Sequence, residues 1–326
     1  MKFILLFLFP GICLAEGIKD LNALRVFGVD NFYYSTQYRS AEIQMNGGAW
    51  SGWHWPNREG SLLYTPNDQS LGPVDKWERA SLDNNAYDIR SDINELLRTH
   101  AHVNWGGFCH GYAAASLEYP EPTRKTVNGV QFFHSDIKAL MAFYYDYLLS
   151  NNLVQSYYLG TTCFDRLEPV EYFRLGDRTT PNCDDVNAAE FHLALVNRIA
   201  LGNKGFVMDM SRGHEIWNVP IIGFHFTDLG VYPEWYVHRA ASTSIIKHIK
   251  MDVNYLGYQR PEQDREVFGR QGQKIRTKSY EYTLELNARG QIIGGEWLTD
   301  DRPDLLWFSS SFPRPSGQFE LLNQLI

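Results

Sequence analysis

The fold of this chain is decided by the stretch NWGGFCHGYAAAS, residues 104–116, in which two glycines lead into a cysteine and a run of small residues. The pattern predicts a helix that begins near Cys109, whose small residues allow it to be buried tightly against a sheet. A thiol in the first turn of a helix has its thiolate stabilised by free backbone N–H groups and the helix dipole. The same N–H groups can later stabilise an oxyanion. We therefore predict that Cys109 is a nucleophile.

The beginning of the chain indicates the compartment. Residues 1–15 combine Lys2, an apolar run and a small-residue end, which is typical of a secretory signal peptide. We therefore expect a secreted or periplasmic protein. In an alternative interpretation the segment is a lipoprotein signal with the lipid on Cys13, but Ile12 stands where such a signal has a small residue.

Cysteine counting supports the prediction for Cys109 independently. The chain has four cysteines, at positions 13, 109, 163 and 183. Cleavage after Ala15 removes the first, and in an oxidising compartment Cys163 and Cys183 are expected to form a disulfide. Cys109 is then left with a free thiol.

Composition excludes several classes of function. The 326 residues are 44% hydrophobic and 14% aromatic, which indicates a globular protein, and the net charge of −8 argues against nucleic acid as a partner. No segment approaches the roughly 18 unbroken apolar residues of a membrane span. Motifs for nucleotides, dinucleotides and zinc are absent, so we expect no cofactor; calcium at the acidic pairs 184–185 or 300–301 is explained equally well by solvated surface charge. We expect a monomer, and the composition leaves both proteins and glycans open as partners.

The predicted elements are helices first and strands later. Helices are predicted over 88–100, from 109 to before Pro120, and over 136–150 and 186–201; strands are predicted over 206–210, 216–227, 243–258, 280–286 and 291–297. Helices followed by an antiparallel sheet predict an α+β fold. Residues 16–84 are predicted to be an irregular, aromatic-rich extension, and 85–326 the catalytic domain.

A thiol nucleophile needs a base. His214 is best placed, because it lies just before a predicted strand, and a cysteine on a helix facing a histidine at a strand end is the arrangement of papain-like enzymes. His225, inside the strand, is the second choice. His110 is too close in sequence to point back at the sulfur of its neighbour.

Three blocks of the sequence resemble a known family. Residues 214–224, HEIWNVPIIGF, resemble the Trp-Asn-x-Pro core of the transglutaminase-elicitor family of secreted pathogen proteins and their bacterial relatives. Residues 282–297, YTLELNARGQIIGGEW, with 303–307, and the box around Cys109 match the same family in the same order.

The resemblance implies a papain-like fold and a protein-glutamine γ-glutamyltransferase. In that reaction a cysteine attacks the carboxamide of a protein glutamine, ammonia leaves, and a lysine or other amine takes the acyl group. Trp217 and Pro220 would belong to the active-site strand. Trp105 and Trp217 would form the walls of a tunnel for the amine.

Two roles have several candidates. The oxyanion would be held by the Cys109 N–H and by either the Asn104 side chain or the Trp105 indole. The residue that orients His214 is expected to be Glu296, with Asp252 as the second choice and Asp304 as the third.

Other functions fit the same residues. A cysteine protease or a glutamine deamidase on the same scaffold shares the chemistry up to the acyl-enzyme. A non-catalytic glycan-binding module would use Trp50, Trp53 and Trp55 to stack sugar rings.

Overall fold

The described part of the chain is built around one antiparallel sheet. The computed structural model describes residues 28–44, 49–66, 69–82, 85–160, 185–210, 213, 215–233, 239–263, 269–299, 301–309 and 313–326. The helices are α1 Phe32–Ser35, α2 Pro73–Ala80, α3 Ile89–His100, α4 Cys109–Glu118, α5 His134–Ser150, α6 Ala188–Ala194, which continues as a π-helix over Leu195–Leu201, and α7 Glu320–Leu325. The strands are β1 Ser40–Glu42, β2 Lys125–Val127, β3 Val130–Phe132, β4 Ser156–Gly160, β5 Phe206–Asp209, β6 Asn218–Val231, β7 Ile245–Leu256, β8 Ile275–Leu286, β9 Ile292–Gly294 and β10 Leu305–Ser309.

The order of the strands places β6 near the centre. Within the described residues the main sheet has eight strands in the order β4-β10-β5-β6-β7-β8-β9, and β1 also pairs with β6. β5 pairs with the first residues of β6, from Asn218 to Ile221, and β1 takes over the same edge at Gly223–His225. The beginning of β6 therefore lies between β5 and the end of β7.

The two faces of the sheet bury separate apolar clusters. Along β5, Val207 belongs to the cluster under α4 and α5, whereas Phe206 and Met208 belong to the cluster under α6. β10 alternates in the same way, with Trp307 on the α4 side and Leu306 on the α6 side. This alternation follows from the two-residue period of a strand, and it identifies which side chains can reach α4.

α4 is held against α5 and the sheet by small residues. Ala113 and Ala115 are fully buried. A Cβ built on Gly111 would lie 2.1 Å from the carbonyl oxygen of Ala142 on α5. A side chain there would force the two backbones apart, so glycine is required for this close approach.

The described part of the predicted N-terminal extension packs into the same core. The buried members of the cluster under α4 and α5 include Trp50, Trp55, Leu62 and Trp77. The extension also explains the two glycines before Cys109. A Cβ on Gly107 would lie 2.5 Å from the carbonyl oxygen of His54. The boundary between residues 84 and 85 stays a prediction.

Most of the predicted elements are confirmed, with shifted ends. α3 to α6 and β5 to β9 lie where periodicity predicted them. However, β6 begins at Asn218 rather than at residue 216, and the strand predicted over 291–297 is only Ile292–Gly294. The elements that were not predicted are α1, α2, α7, β1, the hairpin β2–β3 and the pair β4–β10. Within the described ranges, no helix combines the length and the apolar character that crossing a membrane requires.

Candidate active site

Cys109 lies at the bottom of a cleft. It is the first residue of α4, carries a free thiol and is only 4% exposed. The cleft has a volume of about 1030 Å³ and is lined from α3, α5, the 103–108 loop, β10 and the start of β6. The thiol donates a hydrogen bond to the carbonyl oxygen of Ile216, with Sγ and O 3.6 Å apart. The helix start and the residues just before β6 therefore meet at the sulfur.

The neighbouring His110 faces the same cleft and is bound to α5. Its Nε2 forms a short hydrogen-bonded ion pair with Oδ1 of Asp146, and the two side chains are 33% and 25% exposed. Burial lowers the pKa of His110, but the hydrogen bonds to Asp146 and Cys109 outweigh it and raise this pKa to about 10. His110 is thus held toward α5 by Asp146, in the same cleft that Cys109 lines.

Tyr258 and Asn218 close the other side of the thiol. The Tyr258 hydroxyl donates to the carbonyl oxygen of Asn218 at 2.7 Å. Burial raises the pKa of Tyr258 well above its usual value, and its interaction with Cys109 raises it further, so the hydroxyl stays protonated. The Asn218 side chain lines the cleft, and its Oδ1 accepts a hydrogen bond from Nε1 of Trp307 at 3.1 Å. Since the oxygen of the amide faces Trp307, its nitrogen is a donor in the cleft wall.

A buried carboxylate lies on the same face of the sheet. Asp209, at the end of β5, is 0% exposed and pairs in register with Asn218. Its position, two residues after Val207, directs it to the α4 side. Its Oδ1 accepts a hydrogen bond from the backbone N–H of Trp217 at 3.0 Å. Asp209 is therefore attached to the segment that leads into β6.

The predicted substrate-binding residues have different surroundings. Trp105 is half-buried and lines the cleft, whereas Asn104 is exposed and is not part of its lining. Trp217 is half-buried; its ring packs against His54, at 5.5 Å between centroids, and against Tyr258, at 6.0 Å. Burial lowers the pKa of His54 to about 4, so this ring is neutral.

Glu296 is placed far from Cys109. Its backbone carbonyl accepts a hydrogen bond from the N–H of Thr283 on β8. In the sheet, Thr283 lies opposite His248 on β7, and His248 lies opposite Gly230 on β6. Gly230 is twelve residues from Asn218, or roughly 40 Å along the strand. The structure therefore does not bring Glu296 to the thiol. The two glycines before it, Gly294 and Gly295, approach Glu285 and Thr283 on β8 instead.

The two aspartate alternatives and His225 are also not at the thiol. Asp252 pairs in register with His225, seven residues or roughly 24 Å beyond Asn218, and it accepts a hydrogen bond from Ser279. Asp304 is fully buried just before β10, and strand alternation puts it on the face of Leu306, away from α4.

Several predicted features lie outside the described residues. They are His214, Cys163 and Cys183, and the signal peptide with Cys13. The base, the disulfide and secretion therefore stay predictions. His214 is two positions before Ile216 in the sequence.

Comparison with known proteins identifies the family. The family model described as transglutaminase elicitor matches residues 97–320, which is 224 of the 326 residues. The chain belongs to the transglutaminase elicitor family. The match contains α4 with Cys109, the Trp-Asn-x-Pro segment and β10, so the resemblance seen in the sequence is confirmed.

A solved structure shows the fold of this family member. The crystal structure of the GP42 transglutaminase from Phytophthora sojae is similar with a TM-score of 0.71 and 21% sequence identity, covering 96% of this chain and 98% of that chain. At this identity the likeness establishes a shared fold, with helices packed on an antiparallel sheet. No curated protein matches the chain.

The three tryptophans proposed for glycan binding are part of the core of this family member. Trp50, Trp53 and Trp55 are 0%, 5% and 1% exposed. Trp53 and Trp55 pack on each other with centroids 5.0 Å apart. Their faces are thus covered by protein, which removes the observation behind a glycan-binding module. A metal site of three or more His, Cys, Asp or Glu side chains is not found in the part of the chain that the structure describes.

Sequence reasoning missed four residues of the site. Asp209 and Asn218 lie at the facing ends of β5 and β6, and Tyr258 lies just beyond β7. A polar residue at the end of an apolar strand was the signal for Asp209. Asp146, on the helix predicted over 136–150, had no such signal, because its partner is 36 positions earlier.

Proposed function

We propose that this chain is a protein-glutamine γ-glutamyltransferase with a papain-like pairing of Cys109 and His214. The observation that carries the proposal is the meeting of the thiol with the segment before β6, where Sγ lies 3.6 Å from the Ile216 carbonyl oxygen. Two peptide units span at most about 7.6 Å. A residue two positions from Ile216 is thus within reach of the cleft that contains Cys109.

The first half-reaction makes a thioester. His214 accepts the proton of the Cys109 thiol, and the thiolate attacks the carboxamide carbon of a glutamine side chain. The tetrahedral intermediate collapses as His214 returns the proton to the departing nitrogen, so that ammonia leaves and the acyl group stays on sulfur.

The second half-reaction transfers the acyl group. An amine, such as the side chain of a lysine, attacks the thioester carbon and gives a proton to His214, and the sulfur leaves as thiolate. An isopeptide bond is formed. Water in place of the amine would give glutamate, so the aromatic walls supplied by Trp105 and Trp307 favour transfer by limiting access of water to the thioester.

The oxyanion of both intermediates has two donors. The first is the backbone N–H of Cys109, which lies in the first turn of α4 and has no partner within the helix. For the second we assign the Asn218 amide rather than the exposed Asn104, because Asn218 lines the cleft and its oxygen is held by Trp307. Trp105 remains as a wall of the cleft.

We assign the orientation of His214 to Asp209, and an Asp209→Asn variant tests this. Asparagine keeps the shape and the acceptor for the Trp217 N–H but removes the charge that stabilises an imidazolium. We expect the transfer rate to fall about 10²- to 10⁴-fold, measured as initial rates of amine incorporation at saturating amine. Glu296→Gln is the matched control and is expected to keep the wild-type rate. The opposite result, with only Glu296→Gln impaired, would return the role to Glu296.

Mass spectrometry of a glutamine-rich acceptor protein such as casein, incubated with the enzyme and a primary amine, tests the reaction type. Amine adducts on glutamine support the proposal. Mass increases of about 1 Da without adducts would show a deamidase, and backbone cleavage would show a protease; either result alone would overturn transfer as the function.

A further inference from the structure

The cleft around Cys109 is poor in positive charge. Its described lining contains no lysine or arginine, and its basic side chains are His100 and His110. Three carboxylates line the same cleft: Asp92 and Glu95 from α3, and Asp146 from α5. On the sheet side, the protonated Tyr258 interacts with Cys109 and with the buried Asp209. Negative groups near a thiol oppose its ionisation, so a thiolate here needs a cation close by.

The packing of α4 on α5 places such a cation, the His110 side chain, in the cleft that Cys109 lines. Gly111 allows α4 to approach the Ala142 carbonyl oxygen. One turn further along α5, Asp146 then meets His110. The first turn of α4 therefore carries both Cys109 and the His110 imidazole, whose Nε2 is bound to Asp146. This contact depends on the short distance between the backbones of α4 and α5.

We propose that His110, held by Asp146, is a fixed cation that keeps Cys109 in its thiolate form before substrate arrives. The thiol proton passes to His214, as in the proposed first half-reaction, and the imidazolium charge of His110 stabilises the charge left on sulfur. His110 acts on the reacting sulfur through its charge, whereas Asp146 is a positioning residue that acts through His110. Because the pKa of His110 is raised to about 10, the ring carries its charge through the neutral range and loses it only as the pH rises through that value. His214 is then left to move protons during the reaction.

This proposal refines the proposed function, but its test needs neither glutamine nor amine. The alkylation rate of Cys109 by iodoacetamide follows the thiolate fraction. It is measured on the full chain by mass spectrometry of the Cys109 peptide at pH 6 and at pH 9.5. In the Asp146→Asn variant we expect the rate at pH 6 to fall about tenfold and the rate at pH 9.5 to stay within about twofold of wild type.

Three further variants separate charge from folding. Asp146→Glu restores a carboxylate and is expected to recover most of the rate at pH 6, and His110→Gln is expected to behave like Asp146→Asn. Asp92→Asn is the matched control, because Asp92 lines the same cleft but accepts a hydrogen bond from Tyr87 instead. Its rate at pH 6 is expected to stay at or slightly above wild type.

Two results would overturn the proposal. One is a rate at pH 6 that is unchanged in both Asp146→Asn and His110→Gln. The other is an equal loss at both pH values that Asp146→Glu does not recover, which would show a structural role only. A chain that shows the expected alkylation profile but forms no amine adducts would keep this inference and lose the proposed function.

Discussion

A Cys109→Ala variant is expected to lose amine incorporation by a factor of at least about 10⁴, the loss typical of removing a covalent nucleophile. Without the sulfur no thioester can form, and the remaining N–H groups and cleft walls have no covalent intermediate to stabilise. The measurement is the initial rate of incorporation of a fluorescent primary amine into a glutamine-containing protein. Trapping of the thioester by mass spectrometry, in the absence of amine, should succeed with wild type and fail with the variant.

The variant should remain folded, since alanine fits the first turn of α4 and the hydrogen bond from the thiol to the Ile216 carbonyl oxygen is long, at 3.6 Å. Ser116→Ala is the matched control on the same helix, because its hydroxyl bonds only locally, to the Ala113 carbonyl oxygen. We expect that control to keep the wild-type rate. Substantial incorporation by a folded Cys109→Ala protein would exclude the covalent mechanism.

A His214→Ala variant is expected to lower the same rate about 10³- to 10⁴-fold, because the thiol proton and the departing nitrogen would lack their general base and acid. The loss should be largest at neutral pH. Steady-state rates across pH 5 to 9 measure the effect, with melting temperature as the check on folding.

His225→Ala is the control for a histidine of the same strand region. His225 is exposed and stands beside Asp252, roughly 24 Å along β6 from Asn218, so its replacement is expected to be silent. If His214→Ala kept its rate while His110→Ala lost it, His110 would be the residue that transfers the proton. The proposed roles, His214 as general base and His110 as a fixed cation, would then be wrong.

Much of the fold was predictable from local pattern. The apolar positions of α3 repeat at helical spacing, and Asp88 caps it by accepting from the Ser91 N–H, as a sequence-based helix start requires. α2 was missed because it has only eight residues and lies in a segment that was predicted to be irregular. β10 was missed because its five buried residues show no alternation in the sequence, although the two faces of the strand bury different clusters.

The candidate site was also predictable only in part from the sequence. Cys109 was predicted from its glycines and small residues, and the structure shows the reason for each: Gly107 lies against the His54 backbone and Gly111 against α5. Glu296 was predicted because two glycines precede it, yet those glycines lie against β8 and not against α4. Asp209 carried a weaker signal and shares a face of the sheet with the thiol's helix.

By itself the sequence determined the helix start that carries Cys109, the alternation of the strands and membership of a family, because each depends on residues close together in the chain. Only the tertiary structure decided which polar groups lie in the cleft of Cys109 and behind it. Asp146, Asn218 and Asp209 come from three different elements and Tyr258 lies just beyond a fourth, and strand register together with the depth of helix packing sets their positions. Strand register and helix packing depend on residues far apart in the chain, so no local pattern in a single sequence predicts them.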